Sequence, residues 1–354
     1  MRDFEGRSKV VRRSVGAVFY AVGMGALTMA NGAARADAIE DFYRGKNINI
    51  IVGHEPGTGF DLYARTLSRH MGRHMPGAPG IIVQNMVGAS GLAATNWLYN
   101  VAPKDGTVMA TFAHTAPLEP LLGAATARFD AAKFNWIGNA DQSVSLCGVW
   151  HTAGIEKFDD LFEKEILVGG TGLGGPLSSA ANAVHNLVGA KVKLIDGYKG
   201  SVSVRLAILQ GEIQGVCGMS LSSLNSQYGQ DIRAGHFKYI LQFGVKEHPA
   251  LPGVPAVYGY AKSAEDRQAF DLVFGVQSIG RPFAAPPTTA PERVEALRRA
   301  FDATVTDPAF VAEIERQQLD LNPMNGEDLQ ELFRRLYAAP KDIVERARAA
   351  TKTR

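Results

Sequence analysis

The sequence predicts an α/β protein of two lobes, each a mostly parallel sheet flanked by helices, with a ligand cleft between them. Three observations carry that expectation. Strand-like apolar runs alternate with helix-like periodic segments in two successive stretches, and an all-helical tail follows them. The chain has 354 residues, and removing a 36-residue export segment leaves 318, enough for two domains of ordinary size.

The export segment comes first. Lys9, Arg12 and Arg13 precede an uncharged, mostly apolar run from Ser14 to Ala33, and Ala34-Arg35-Ala36 supplies a small-residue cleavage pattern. We read residues 1–36 as a signal peptide of the general secretory route and expect a periplasmic protein. The run is broken by Gly16, Gly23, Gly25 and Asn31, and it is too short for a span, which needs ~20 apolar residues. Of the 37 Lys/Arg and 35 Asp/Glu, the segment holds six and two, so 31 face 33 in the remainder, a net charge of −2. Phosphate-backbone binding requires a basic footprint that this balance lacks, so no nucleic-acid partner is expected. Two cysteines, Cys147 and Cys217, are too few for a disulfide scaffold or a four-ligand zinc site. One disulfide and two small buried apolar residues both fit an oxidising compartment.

The first unit reads βαβαβ: a strand at Ile48–Val52, a helix at Asp61–Met75, a strand at Ile81–Val83, a helix at Gly91–Tyr99 and a strand at Thr107–Phe112. Tyr63, Leu67, Met71 and Met75 recur every fourth residue on one helix face, beside a stripe of Arg65, Arg69 and Arg73. Asp61 is the expected N-cap and Pro76-Gly77 the stop. The second unit places strands at Val144–Val149, Ile166–Val168, Val192–Ile195, Ile213–Val216 and Tyr239–Phe243, with helices at Leu177–Val188 and Val202–Leu209. One more strand is expected at Leu272–Val276, then helices opening at Pro291, Pro308 and Gly326, each with an acidic first turn. The expected lobes are residues 37–142 with 250–354, and residues 143–249. A cleft between them falls at the strand C-termini, where α/β proteins hold ligands.

Three glycine-rich turns join a strand to a helix. The first, Gly53-His54-Glu55-Pro56-Gly57-Thr58-Gly59-Phe60-Asp61, can aim backbone N–H groups at one anion beside a positive helix end, without a cationic side chain. Leu62 stands where a dinucleotide fingerprint needs Gly or Ala, and no acidic residue lies between Leu62 and Lys104 to hold a ribose, so no nucleotide cofactor is expected. The second turn, Asn85-Met86-Val87-Gly88-Ala89-Ser90-Gly91, points a second helix start to the same sheet edge; Leu92 breaks a nucleophile elbow at Ser90. The third, Gly169 to Pro176, carries Thr171, Gly172 and Gly174 with Ser178 in the next turn, and it lacks the Lys-Ser/Thr of a phosphate loop. His70 and His74 have a metal-compatible spacing, but Arg69 and Arg73 crowd them, so a surface pair is expected and no metal. His114 and Thr115 follow the third strand, where His114 could reach the cleft or serve as a loop histidine with ordinary structural bonds. No nucleophile, base and metal set stands out, so no catalytic residue and no enzyme activity is expected.

With these turns in view, the sequence resembles the receptors of tripartite tricarboxylate transporters, the Bug- or TctC-type extracytoplasmic solute-binding proteins. The residues that carry the resemblance are Phe42-Tyr43-Arg44-Gly45-Lys46, Pro56-Gly57 with Gly59 and Asp61, Ala64-Arg65, Asn85 with Gly88-Ala89 and Gly91, and Pro103-Lys104-Asp105-Gly106-Thr107. Tyr198-Lys199-Gly200-Ser201, Gly211-Glu212-Ile213, Leu251-Pro252-Gly253-Val254-Pro255 and the tail from Pro291 continue it. The resemblance implies a type II-like periplasmic-binding-protein fold. A small organic acid would be held by Gly57, Thr58, Gly59, Phe60, Asp61, Gly88, Ala89, Ser90 and Gly91, with Thr171, Gly172, Gly174 and Ser178 of the second lobe choosing the rest of the ligand. It implies delivery to a membrane permease of one large and one small subunit by a monomeric receptor; a sensory partner for a membrane kinase and an exported α/β enzyme are the alternatives. The chain departs from the pattern at Thr58, Ser90 and Ala256, and His54 and Glu55 replace more usual aromatic or small residues. The topology of such receptors also sets the strand of Cys147 beside that of Cys217, which implies a disulfide.

Overall fold

The computed structural model describes residues 37–352 apart from 143, 173, 174 and 245, so the expected signal segment lies outside the described residues. Residues 37–43 form a first helix, α1, which buries Ile39 and Tyr43. Then β1 (Asn47–Val52), α2 (Gly59–His70), β2 (Gly80–Asn85), α3 (Leu92–Asn100) and β3 (Val108–Thr111) realise the βαβαβ unit. Because β1 pairs in parallel with both β2 and β3, the turns after β1 and β2 open on the same sheet edge.

The chain runs through β4 (Asn135–Asn139) into a second sheet built from β5 (Ser145–Trp150), β6 (Ile166–Gly169), β7 (Val192–Ile195), β8 (Gly215–Ser220) and β9 (Phe237–Gln242). Between them lie α4 (Pro176–Ala183), which continues into a π turn at Val184–Val188, then α5 (Ser201–Leu209) and α6 (Leu221–Arg233). After α7 (Ala264–Phe274), β10 (Pro282–Ala285) returns to the first sheet, followed by α8 (Pro291–Val305), α9 (Pro308–Arg316), the short β11 (Met324–Asn325), α10 (Gly326–Tyr337) and α11 (Lys341–Thr351). The first sheet has the order β11-β4-β10-β3-β1-β2 and the second β7-β6-β8-β5-β9. This is an α/β fold of two lobes.

Both sheets are mixed, with most strands of each running the same way. The strands β5 and β10, on which the chain enters each sheet from the other, run antiparallel to their neighbours. A strand arriving from the cleft runs away from it, whereas the βα units deliver their strand ends to it. The run Leu272–Val276 is not a strand: Ser263 caps α7, Glu265 and Asp266 occupy its first turn, and Phe270, Leu272, Val273 and Phe274 are buried in helical register. Short apolar runs do not separate strand from buried helix by pattern alone.

Each sheet carries apolar packing on both faces. In the first, Ile50, Val52, Tyr63, Leu67, Leu297 and Phe301 pack on one side, and Leu98, Phe112, Phe134, Trp136 and Phe333 on the other. The helical tail divides: α8 and α10 pack on β4, whereas α11 packs against α7 and α4 and adds Val344 and Ala347 to the second core. In that core Cys147 and Cys217, facing each other on β5 and β8, form a disulfide. Among the described residues no helix is long and apolar enough to cross a membrane.

Candidate functional site

The first glycine turn is held from behind. Thr58, not Asp61, is the N-cap of α2: its Oγ1 accepts from the Asp61 N–H at 3.5 Å. Asp61 sits one turn inside and reaches back, accepting from the Gly57 N–H at 2.9 Å and from Asn85 Nδ2 at 2.9 Å, and pairing with Arg65 at 2.9 Å. Burial pushes its carboxyl up, but Arg65, the Gly57 N–H and Asn85 outweigh it and hold the group below its ordinary range. Gly57 and Asp61 are therefore spent on the turn itself. The Gly59 and Phe60 N–H groups, at the first two helical positions, find no acceptor among the described residues and remain available beside the positive helix end.

Directly over them lies a cation that no motif announces. Arg281, between the second lobe and β10, is buried, and its backbone is fixed where the chain crosses: its N–H donates to Asn139 Oδ1 at 2.7 Å and its carbonyl accepts from Ala140 at 3.0 Å. Its guanidinium stacks 4.8 Å from the Phe60 ring centre and 5.2 Å from that of Tyr63. Nη2 donates to Ser220 Oγ at 2.9 Å and Ser223 Oγ at 2.8 Å, both in the second lobe, and Nη1 donates to the Gly280 carbonyl at 2.6 Å. Among the described residues no carboxylate lies at ion-pair distance from it, although the buried Asp141 feels its charge, and its Nε is buried without a partner. Gly59 is what lets it approach, since a Cβ there would stand 2.3 Å from Nη2.

Around the guanidinium, further buried polar atoms lack partners: His54 Nε2, both ring nitrogens of His114, and Thr171 Oγ1. His54 stacks on Phe60 with ring centres 4.2 Å apart. Burial first, and the Arg281 charge second, push both imidazoles down to about 3, so both are neutral at any physiological pH. These groups line one cavity of about 40 Å³ with Thr58, Gly59, Phe60, Ser145, Gly200, Ser201 and Ser223. Pro176, Leu177 and Met219 form an apolar wall to the same space. Orphaned buried polar atoms are uncommon, and several facing one cavity mark a ligand's place.

The remaining sequence-predicted residues fall elsewhere. Thr58, Gly59, Phe60, His114 and Thr171 line the cavity; Gly57, Asp61, Gly88, Ala89, Ser90, Gly91, Thr115, Gly172 and Ser178 do not. In the second turn Ser90, at φ 51°, donates its hydroxyl to the Thr171 carbonyl at 2.5 Å, a bond between the lobes, while Gly91 packs behind it on Phe112. Thr115 is buried at the start of a helical turn. The third turn cradles an anion of its own: Asp196 Oδ1 accepts from the Gly172 N–H at 2.5 Å and from Ser178 Oγ at 2.7 Å. Gly174 lies outside the described residues. His70 and His74 are not a surface pair, because His70 Nε2 meets Glu313 at 2.6 Å and His74 Nε2 meets Asp307 at 2.8 Å, on and just before α9. Among the described residues no group of three metal-ligating side chains occurs.

Arg281, Ser220 and Ser223 escaped the sequence reading, and His54 entered it only as a departure from the family pattern. Arg281 is distant in sequence from the first turn and stands in no motif; a lone Arg-Pro before a short apolar run is its only trace.

No family model matches the chain, and no curated relative is found for it. Solved structures are similar in fold. The periplasmic binding protein BugD superposes with a TM-score of 0.67 at 19% identity, over 86% of this chain and 98% of its own. MatC of Rhodopseudomonas palustris, with bound malate, gives 0.67 at 15% identity over 85% of this chain and 99% of its own. A further R. palustris protein, with adipate, gives 0.63 at 16% identity over 83% and 94%. At these identities the likeness speaks to architecture: the chain has the two-lobed fold of the Bug-type periplasmic binding proteins.

Proposed function

We propose that this chain is a periplasmic receptor that captures a small organic acid between its lobes and passes it to a membrane permease of the tripartite type. The observation that carries the reading is Arg281, a buried guanidinium without a carboxylate partner among the described residues, set over the unsatisfied Gly59 and Phe60 N–H groups. A buried charge is costly unless paired, and a ligand carboxylate is the group that would pair it. The carboxylate would accept from Arg281 and the start of α2, while neutral His54 and His114 and the Thr171 hydroxyl donate to it or to the ligand's remaining oxygens. Malate and adipate in two proteins of the same fold support the ligand class.

Capture rather than turnover fits the same geometry. Ser90 gives its hydrogen to a carbonyl instead of to a base. Neither cavity histidine has a carboxylate to orient it, as a general base requires. Binding would be coupled to closure, because the cavity is walled by both lobes and Arg281 bonds to second-lobe serines from the crossing segment. A thermal-shift screen of small carboxylates, with native mass spectrometry for a co-purified acid, tests the reading. A ligand at a hundred times its Kd adds about 2.7 kcal/mol to the folded state. A screen without a stabilising acid, on protein shown to be ligand-free, refutes it.

A further inference from the structure

Glu55, in the first glycine turn, crosses the cleft. Its Oε1 accepts from the Ser203 N–H at 3.1 Å and its Oε2 from Ser203 Oγ at 2.9 Å, so a first-lobe carboxylate occupies the start of α5 in the second lobe. Gly200 makes room for it, as a Cβ there would stand 2.7 Å from Glu55 Oε1. Gly200 and Ser201 also line the ligand cavity, which places Glu55 beside its edge. The N–H donors at a helix start are the natural seat of an anion, and here the protein fills that seat itself.

The charges of the cavity then add up for one carboxylate. Arg281 is its sole charged lining residue among the described ones, both histidines being neutral. The rest of the wall is apolar or hydroxylic. A second carboxylate would find no second cation: the wall's hydroxyls and imidazoles offer only neutral bonds, Pro176, Leu177 and Met219 leave its desolvation uncompensated, and toward Glu55 it meets a like charge with Ser203 already engaged.

Building on the carboxylate reading above, we infer that Glu55 is a specificity-determining residue: it takes the helix start that a second ligand carboxylate would need and restricts the cavity to acids with a single carboxylate. Calorimetric titration of propionate and butyrate against succinate and glutarate, on wild type, Glu55→Gln and Glu55→Ala, tests it. Glu55→Gln keeps an acceptor for Ser203 while removing the charge. The expected result is a wild type that prefers each monocarboxylate to its chain-matched diacid. In both variants the diacid-to-monoacid affinity ratio should rise by on the order of tenfold or more, the fold-change of one close like-charge contact removed. A wild type that binds the diacids as tightly, or a ratio that stays within about twofold in both variants, overturns the inference and leaves the carboxylate site standing. Absence of binding by all four acids to all three proteins overturns both.

Discussion

Replacing Arg281 by Met separates a ligand-binding cation from a structural one. In the ligand-free protein the guanidinium makes three hydrogen bonds, to Ser220, Ser223 and the Gly280 carbonyl. Bonds from a charged donor contribute about 1.5–3 kcal/mol each. Against that stands the desolvation of an unpaired cation, which costs several kcal/mol. Met fills similar volume, and the two serines, already 3.1 Å apart, can satisfy each other. These opposing contributions are of similar size, so the ligand-free melting temperature of Arg281→Met should stay close to wild type. With ligand, each lost charge-assisted bond to a carboxylate removes about 2 kcal/mol, close to thirtyfold in Kd, and a bidentate contact removes more. Calorimetric titration with a bound acid, alongside melts of ligand-stripped protein, gives both quantities. An affinity within threefold of wild type in a folded variant refutes the assignment; a lowered melt with unchanged affinity would make Arg281 a tie between lobes instead.

Gly59→Ala should reproduce much of that affinity loss from the other side, because its Cβ would lie 2.3 Å from Arg281 Nη2 and 2.6 Å from Ser223 Oγ. The stability change should stay within ~1 kcal/mol, since Ala is the better helix former; unchanged binding would show that the guanidinium has another place to go. Thr58→Ala removes the α2 cap and should cost about 1 kcal/mol in a denaturant melt, so an unaltered midpoint argues against the cap. Asp141, buried where the chain crosses between lobes, has its carboxyl pushed up to about 7 by burial, with Arg281 opposing. The folded value exceeds the unfolded one, so its contribution to stability is complete below about pH 4 and is lost as pH rises through 7. Asp141→Asn should flatten that decline, by up to roughly 4 kcal/mol at pH 8, and stability-versus-pH curves parallel to wild type would refute it. Reduction of Cys147–Cys217, which are separated by 70 residues, should destabilise the second lobe by about 4 kcal/mol on loop-closure grounds. A melt indifferent to reductant, with thiols shown to be free, would overturn that.

Local features of this protein were legible in the chain where one segment contains the whole cause. The strands and helices of the βαβαβ unit, the tail helices opening at Pro291, Pro308 and Gly326, and the glycine turns follow from period, punctuation and caps. Leu272–Val276 misled because a buried helix and a buried strand present the same apolar run. Strands β4 and β10 went unread because each owes its place to pairing with chain distant in sequence, Pro282 to Asn139 among them. The site divided along the same line. Thr58, Gly59 and Phe60 announced themselves through the turn. Arg281 is assembled there only by the crossing of the chain, and the third turn, which advertises an anion cradle, turns out to be filled by Asp196. Family resemblance pointed to the pairing of Cys147 with Cys217, which composition alone left open.

The division of the helical tail bears on how this protein could be watched at work. Residues 37–43 are anchored in the first core through Ile39 and Tyr43, while α11 is anchored on the second through Val344 and Ala347. Donor and acceptor dyes placed on exposed positions of these two helices, Glu40 and Glu345 for example, would ride on different bodies. Their energy transfer would report the angle between those bodies one molecule at a time, without any label near the ligand. The way the backbone ends its path thus turns the protein into its own optical gauge.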